Sequence, residues 1–326
     1  AMMPAENGGY FLRVASPDLR RADDTRVRTV RDVIIEVDAS GEVVDEWRLF
    51  EILDPNRNIV LKSIDQGAVC LNIDTSQSGK TLSAEQLAKL EAQHAFGDIA
   101  GTGAGRNWAH VNSVDHDPVD DSIILSSRHQ SAVVKIGRDK QVKWILAAPN
   151  GWRDGLKDKV LTPVGKDGRP LSCRIGKCEG GFDWTWTQHT AWKIDELSKG
   201  DIVYVSVFDN GDGRAFVQPE DQNEKYSRAV VYKIDQKAMT VEQVWEYGKE
   251  RGHELYSPIT SSVEYQADKN SVVVYWASIG TGSKTGPAPV LTEFRWGETK
   301  PAFEMHLKGG MGYRALPIDA QKAFVR

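Results

Sequence analysis

Ala132-Val133-Val134-Lys135-Ile136-Gly137 runs through Asp139-Lys140 into Gln141-Val142-Lys143-Trp144. Two β-rich runs joined by a short polar turn make a hairpin. The shape recurs. Val33-Ile34-Ile35-Glu36-Val37-Asp38 leads through Ser40-Gly41 into Glu42-Val43-Val44-Asp45-Glu46-Trp47. Ala229-Val230-Val231-Tyr232-Lys233-Ile234-Asp235 leads into Thr240-Val241-Glu242-Gln243-Val244-Trp245. A looser fourth copy runs from Pro289–Trp296 through Gly297-Glu298 into Pro301–Leu307. The first three copies close on Trp.

Two further strands precede most of these hairpins. Trp108–Val114 and Ser122–Ser127 precede the second copy, and Thr187–Ile194 and Ile202–Phe208 the third. Ser257–Tyr265 and Ser271–Ala277 precede the fourth. Four antiparallel strands per recurring unit is the pattern of a propeller blade, with a sandwich as the competing all-β architecture. Gly9–Ala15 supplies the second strand of the first unit, and the strand before it is expected to be ending at Ala1. Gly312–Ile318 reads as a single strand entering a further unit. Three full units and two fragments do not close a ring, so the chain is expected to be part of a longer protein or one piece of a nicked one. Between Leu49 and Gly105 the pattern breaks, and Ser83–Phe96 reads as a helical insertion with Ser83 as its cap. Ala148–Gly181 reads as a long loop. Residues 1–326 are thus taken as one partial propeller domain, with insertion 83–96 and loop 148–181.

Composition narrows the function. Of 326 residues, 40% are apolar and 27% charged, with 29 Gly and 13 Pro, an average globular balance. The net charge is −5 and the basic residues are scattered, so nucleic acid is not an expected partner. No run of about 18 apolar residues marks a membrane span. Ala1–Asn7 has neither a basic n-region nor an apolar h-region, so no signal peptide is expected there. An exported chain whose leader has been removed reads the same. Three cysteines are too few for a disulfide scaffold. Cys70 reads as an apolar core thiol. Cys173 and Cys178 are five apart around Gly176, and the spacing fits a small disulfide ring or two free thiols.

The first strand of each blade lines a propeller's channel. His110 and Asn112, two apart, are expected on one face of such a strand. His189 lies on the first strand of the next unit, and Arg128 follows the second strand of the His110 unit. Arg, Asn and His together suit an oxyanion with several oxygens, and a His also serves as nucleophile or acid. No ligand spacing accompanies these histidines, so no metal is expected. Tyr313 is the best aromatic candidate for the channel and Thr260 a weaker one. Trp47, Trp144, Trp192 and Trp245 read as filling between units. His253 and His306 read as surface residues.

Asn107-Trp108-Ala109-His110-Val111-Asn112-Ser113, Asp120–Ser131 with its Ser126-Ser127-Arg128-His129-Gln130, and Val142–Leu146 resemble the bacterial arylsulfate sulfotransferases. Trp186-Thr187-Gln188-His189-Thr190 looks like the segment with that family's nucleophilic histidine, and Tyr10–Val14 and Arg21–Trp47 are also similar. The resemblance covers nearly the whole chain. It implies a six-bladed propeller in the periplasm, of which this chain covers roughly four blades, without the family's N-terminal β domain and first blades. It implies sulfuryl transfer from an aryl sulfate to a phenol without a nucleotide donor or other cofactor. His189 would attack sulfur and form a sulfohistidine, while Arg128, Asn112 and His110 hold the sulfuryl oxygens. A further family histidine would fall just upstream of Ala1. The family's short disulfide matches Cys173 and Cys178, with a thiol oxidase as the partner that closes it. A homodimer is the assembly to test. An anion-binding propeller without turnover and an aryl sulfatase are the alternatives.

Overall fold

The computed structural model describes residues 2–5, 7–16, 18–64, 83–217, 220–281 and 283–318. Four antiparallel meanders follow one another along the chain. The first is β1 (Met2–Pro4), β2 (Tyr10–Val14), β3 (Val33–Val37) and β4 (Val43–Arg48). The second is β5 (Val111–Asp117), β6 (Ser122–Ser127), β7 (Ala132–Gly137) and β8 (Val142–Leu146). After β8, β9 (Thr162–Pro163) and the small hairpin of β10 (Cys173–Arg174) and β11 (Lys177–Cys178) occupy the long loop. The third meander is β12 (His189–Lys193), β13 (Ile202–Asp209), β14 (Arg228–Asp235) and β15 (Thr240–Tyr247). The fourth is β16 (Ser262–Gln266), β17 (Ser271–Trp276), β18 (Val290–Arg295) and β19 (Phe303–His306). Strand β9 adds to β15 as a short parallel edge. Cys70 lies outside the described residues.

The apolar runs are unbroken because the middle strands bury both faces. Ile123, Leu125 and Val134 pack with Phe11, Ile34 and Trp47 of the first sheet. Their neighbours Ile124 and Val133 point the other way, against Val205 and Val230 of the third. Ala229 and Val231 face Val263, Val272 and Val274 of the fourth. Three apolar layers therefore lie between four sheets, and the first strands β1, β5, β12 and β16 neighbour one another in chain order.

The terminal Trp of each hairpin acts across these layers. Trp47 Nε1 donates to Gly137 O at 3.1 Å, Trp144 Nε1 to Gln236 Oε1 at 3.0 Å, and Trp245 Nε1 to Glu298 O at 2.8 Å. Each acceptor lies in the β3–β4-type turn of the following sheet. A buried indole needs such a partner, so the three bonds fix how far each sheet slides on the next.

Three expectations change. The first sheet has its inner strand, as Met2–Pro4 pairs with β2. Gly312–Ile318 is irregular rather than a strand, because among the described residues no strand pairs with it. Strand β5 begins at Val111, so His110 precedes it. The helical stretch is α1 (Leu49–Ile52), α2 (Ile59–Ser63) and α3 (Ala84–Ala92). Ser83 caps α3 through a reciprocal pair with Gln86, whose side chain returns the bond to the Ser83 N–H. No helix among the described residues is long and apolar enough to cross a membrane.

Candidate active site

The sheets' inner ends carry an unusual backbone. His110 (φ 44°), Thr187 (46°), Thr190 (62°), Thr260 (58°) and Ser261 (86°) all lie in the left-handed region. Such residues are uncommon and concentrate where surrounding structure holds a site in place. The pairing slips between Val111 and Ser113, and again between His189 and Ala191. Asn112 and Thr190 are therefore bulged, one per sheet. A bulge re-aims side chains, so the two-residue spacing of His110 and Asn112 does not put them on one strand face.

His189 is 4% exposed. Its Nδ1 lies 2.9 Å from the Ser261 carbonyl oxygen. A carbonyl only accepts, so Nδ1 carries the proton and Nε2 keeps its lone pair. No hydrogen bond occupies Nε2 among the described residues. Burial pushes the imidazole down to about 3, against the Ser261 bond, with Arg314, Arg128 and Arg13 adding to the fall. The ring is neutral at any physiological pH.

Asn112 fastens the backbone on both sides of His189. Its Nδ2 donates to Gln188 O at 2.7 Å and its Oδ1 accepts from Thr190 N at 3.2 Å. Gln188 plugs into the second sheet, donating toward Ser126 Oγ, Ser127 O and Ala132 O. His110 receives the Asn107 amide on Nδ1 at 3.0 Å, which leaves its own proton on Nε2. Burial holds His110 well below the usual histidine range, with His129 and Arg128 adding to it. The His129 ring lies 4.4 Å from the His110 ring. His129 Nδ1 donates to Asn107 O, and its Nε2 is buried without a partner.

Arg128 is 2% exposed. Its Nη1 donates to Thr187 O and to Asn210 Oδ1, and its Nη2 to Asp212 Oδ2 at 3.4 Å and Pro258 O at 2.9 Å. Asp212 also takes Lys225 at 3.0 Å and the Tyr256 hydroxyl at 2.5 Å. Thr260 turns its hydroxyl to the Ile259 and Gly312 carbonyls, at 2.6 and 3.3 Å. Tyr313 is 53% exposed, and its ring stands edge-on to His189 at 5.0 Å. Its carbonyl accepts from Ser261 N at 3.1 Å.

The other five sequence candidates thus gather around His189. Ser261, Arg13 and Arg314 join them, and the sequence reading passed over all three. Ser261 acts through its backbone, and Arg13 and Arg314 come from distant stretches, so no local pattern marks them. Trp192 is half-buried beneath Arg314, whose guanidinium lies 5.0 Å from its ring, rather than filling between sheets. The Cys173–Cys178 disulfide closes the β10–β11 hairpin. Among the described residues no group of three or more His, Cys, Asp or Glu is placed to hold a metal.

The described residues thus form a mostly β protein with a neutral, buried histidine whose Nε2 is free and whose charged neighbours include Arg314, Arg128 and Arg13. The arylsulfotransferase (ASST) family model matches residues 1–314, and the chain belongs to that family. It is 56% identical over 275 residues to an arylsulfate sulfotransferase AssT of Escherichia coli. It is 52% identical to another from Lelliottia amnigena. Both alignments cover 84% of this chain and 44% of the relative, so the chain spans less than half the length of these curated relatives. A quinohemoprotein alcohol dehydrogenase from Comamonas testosteroni matches 93% of this chain and 33% of its own, at 10% identity and a TM-score of 0.31. That likeness carries no weight here.

Proposed function

We propose that the protein transfers a sulfuryl group from an aryl sulfate to a phenol, in two displacements through His189. The observation that carries this is the bond from His189 Nδ1 to Ser261 O, which leaves a neutral ring with its Nε2 pair free. Nε2 forms the bond to sulfur, the S–O bond to the aryl group breaks, and the phenolate leaves. The acceptor phenol loses its proton to solvent, its oxygen then bonds sulfur, the S–N bond breaks, and that pair returns to Nε2. Sulfate monoesters leave the protein mainly charge stabilisation and positioning. His110 offers its Nε2 proton to a sulfuryl oxygen, and Asn112 its second Nδ2 proton. Arg128 contributes charge, since its terminal N–H groups have protein acceptors. Thr260 and Tyr313 border the aryl group.

The four stacked sheets are read as four blades of a six-bladed propeller, with residues 83–96 inserted and 148–181 as a loop. The family membership and the Cys173–Cys178 bond support a periplasmic location, where a thiol oxidase would close the bond. A homodimer belongs to the same reading.

The test uses the intact natural protein. Donor without acceptor should release one burst of phenol no larger than the enzyme concentration. A peptide holding Thr187–Trp192, digested at neutral or alkaline pH, should gain one sulfuryl mass. His189→Asn should abolish both, with a rate loss of at least about 10³-fold. Continuous release without acceptor would make the protein a sulfatase, and no release a binding protein. Steady-state transfer without labelled His189 would mean direct transfer between the two substrates.

A further inference from the structure

Two guanidiniums outside the mechanism above stand at the start of β5. Arg13, on β2, donates through Nη1 to the Val111 carbonyl. Arg314 donates through Nη2 to the next carbonyl, Asn112 O, at 2.9 Å. The two cations are thus fastened to successive carbonyls at the Asn112 bulge, beside His110. Arg314 also lies 5.0 Å from the Trp192 ring and 5.3 Å from the Tyr313 ring, and Tyr313 meets His189 edge-on.

We propose, on the sulfuryl-transfer mechanism above, that Arg13 and Arg314 form a second anion subsite that holds the acceptor phenol as its phenolate.

Neither guanidinium has an ion-pair partner among the described residues, and Arg314 Nε is buried without a hydrogen bond. Burial lowers Arg13, and the charges of Arg31 and Arg314 lower it further while Tyr313 opposes them. Burial also lowers Arg314, against Tyr313 and Glu264. Glu264 is itself pushed up to about 7 by burial, so it compensates Arg314 weakly near neutral pH. The other charged or titratable groups facing the pair are Arg128, His110 and His189. Half-buried like charges without a carboxylate cost free energy until an anion joins them. Asp212 already faces the Arg128 guanidinium, so Arg13 and Arg314 are the cations of the site without a carboxylate in ion-pair contact. Both displacements place a phenolate oxygen on the side of sulfur away from Nε2, leaving in the first and attacking in the second. The acceptor phenol loses its proton to solvent on binding, and the phenolate oxygen forms the bond to sulfur as the S–N bond breaks. Trp192 and Tyr313 give its ring apolar surface beside the charge.

The probe is 4-nitrophenol, whose phenolate absorbs where the phenol does not, so ionisation of the bound molecule is read without any donor. Bound to the intact natural protein, it should ionise at a pH lower by one unit or more than free, the size expected of a cation within about 4–6 Å. Arg13→Gln and Arg314→Gln should each return the bound value toward the free one. Arg314→Lys should keep most of the shift, which a merely structural role would not do. Thermal unfolding verifies that each variant folds, and Arg13→Gln serves if Arg314→Gln does not. In turnover, Arg314→Gln should cost the acceptor's kcat/KM about tenfold for each unit of lost shift, and the donor's as well, since its leaving phenolate occupies the same seat, with the largest loss for weakly acidic phenols. The binding readout needs no covalent intermediate, so the sulfohistidine can fail while the subsite stands. A bound 4-nitrophenol that ionises as it does free, or a shift that survives both Gln variants, overturns the subsite.

Discussion

The Ser261 carbonyl, on a residue held at φ 86°, accepts the Nδ1 proton of His189 across 2.9 Å. The acceptor belongs to the sheet after the one that carries the histidine. One sheet therefore sets the tautomer of a ring presented by another, and Asn112 of the preceding sheet holds the backbone on either side.

The pH dependence of transfer follows from that bond. Burial lowers His189 to about 3, so its neutral fraction is complete from pH 8 down to about 5. The rate of phenol release in the first displacement should stay flat across that range. A fall centred near the ordinary histidine value of about 6.5 would show a solvated ring.

Stability should respond to acid where the rate does not. His189 and His129 are both held at about 3 in the folded chain, and His110 is well below its ordinary value. The unfolded chain takes up protons first as pH falls through about 6.5, so stability is full above that value and declines toward pH 3. Each histidine steepens the loss of stability as pH falls within the window. Thermal unfolding between pH 7 and 4 should show the slope, and His129→Gln should flatten it.

Arg128→Lys should lose most activity. One ammonium cannot reach Thr187 O, Asn210, Asp212 and Pro258 O together, so the charge leaves its seat. Melting temperature should fall as well, because Asp212 loses part of a buried network. A near-normal rate with a lowered melting temperature would mark Arg128 as structural.

Removing the Cys173–Cys178 bond should cost about 2 kcal/mol by the chain-entropy rule, since its ring is short. The larger effect should be local. At the hairpin tip, a Cβ on Gly176 (φ 73°) would sit 2.7 Å from Trp186 Cη2 and 3.0 Å from Ala215 Cα. The hairpin therefore rests on the strand entry that leads to His189. Gly176→Ala should lower activity more than Cys178→Ser does, with thermal unfolding and phenol release as the paired measurements. Thiol titration of the unreduced protein should find one free cysteine.

Repetition made the sheets legible. Strand β6 coincides with the expected Ser122–Ser127, and the Trp at each hairpin's end marked the layers to which Trp47, Trp144 and Trp245 belong. His189, Arg128 and Asn112 were singled out because inner strands of neighbouring units converge, and the structure places them together. What escaped was set by backbone detail and by distance along the chain. The bulges at Asn112 and Thr190 have no composition signal, since any residue in a run of β-formers can be the extra one. Ser261 contributes a carbonyl, which no side-chain motif records. Gly312–Ile318 has the apolar spacing of a strand, but a strand needs a neighbour to bond with, and among the described residues no strand pairs with it.

The three indole bonds all point the same way along the chain. Trp47, Trp144 and Trp245 each reach the turn of the sheet that comes next. Each meander therefore precedes, along the sequence, the group its own indole bonds. The second sheet's Trp finds its acceptor only at Gln236, and the third's only at Glu298. His189 and Ser261 sit on either side of that last bond, so a slide of the third sheet along the fourth would part the ring from the carbonyl that sets its tautomer.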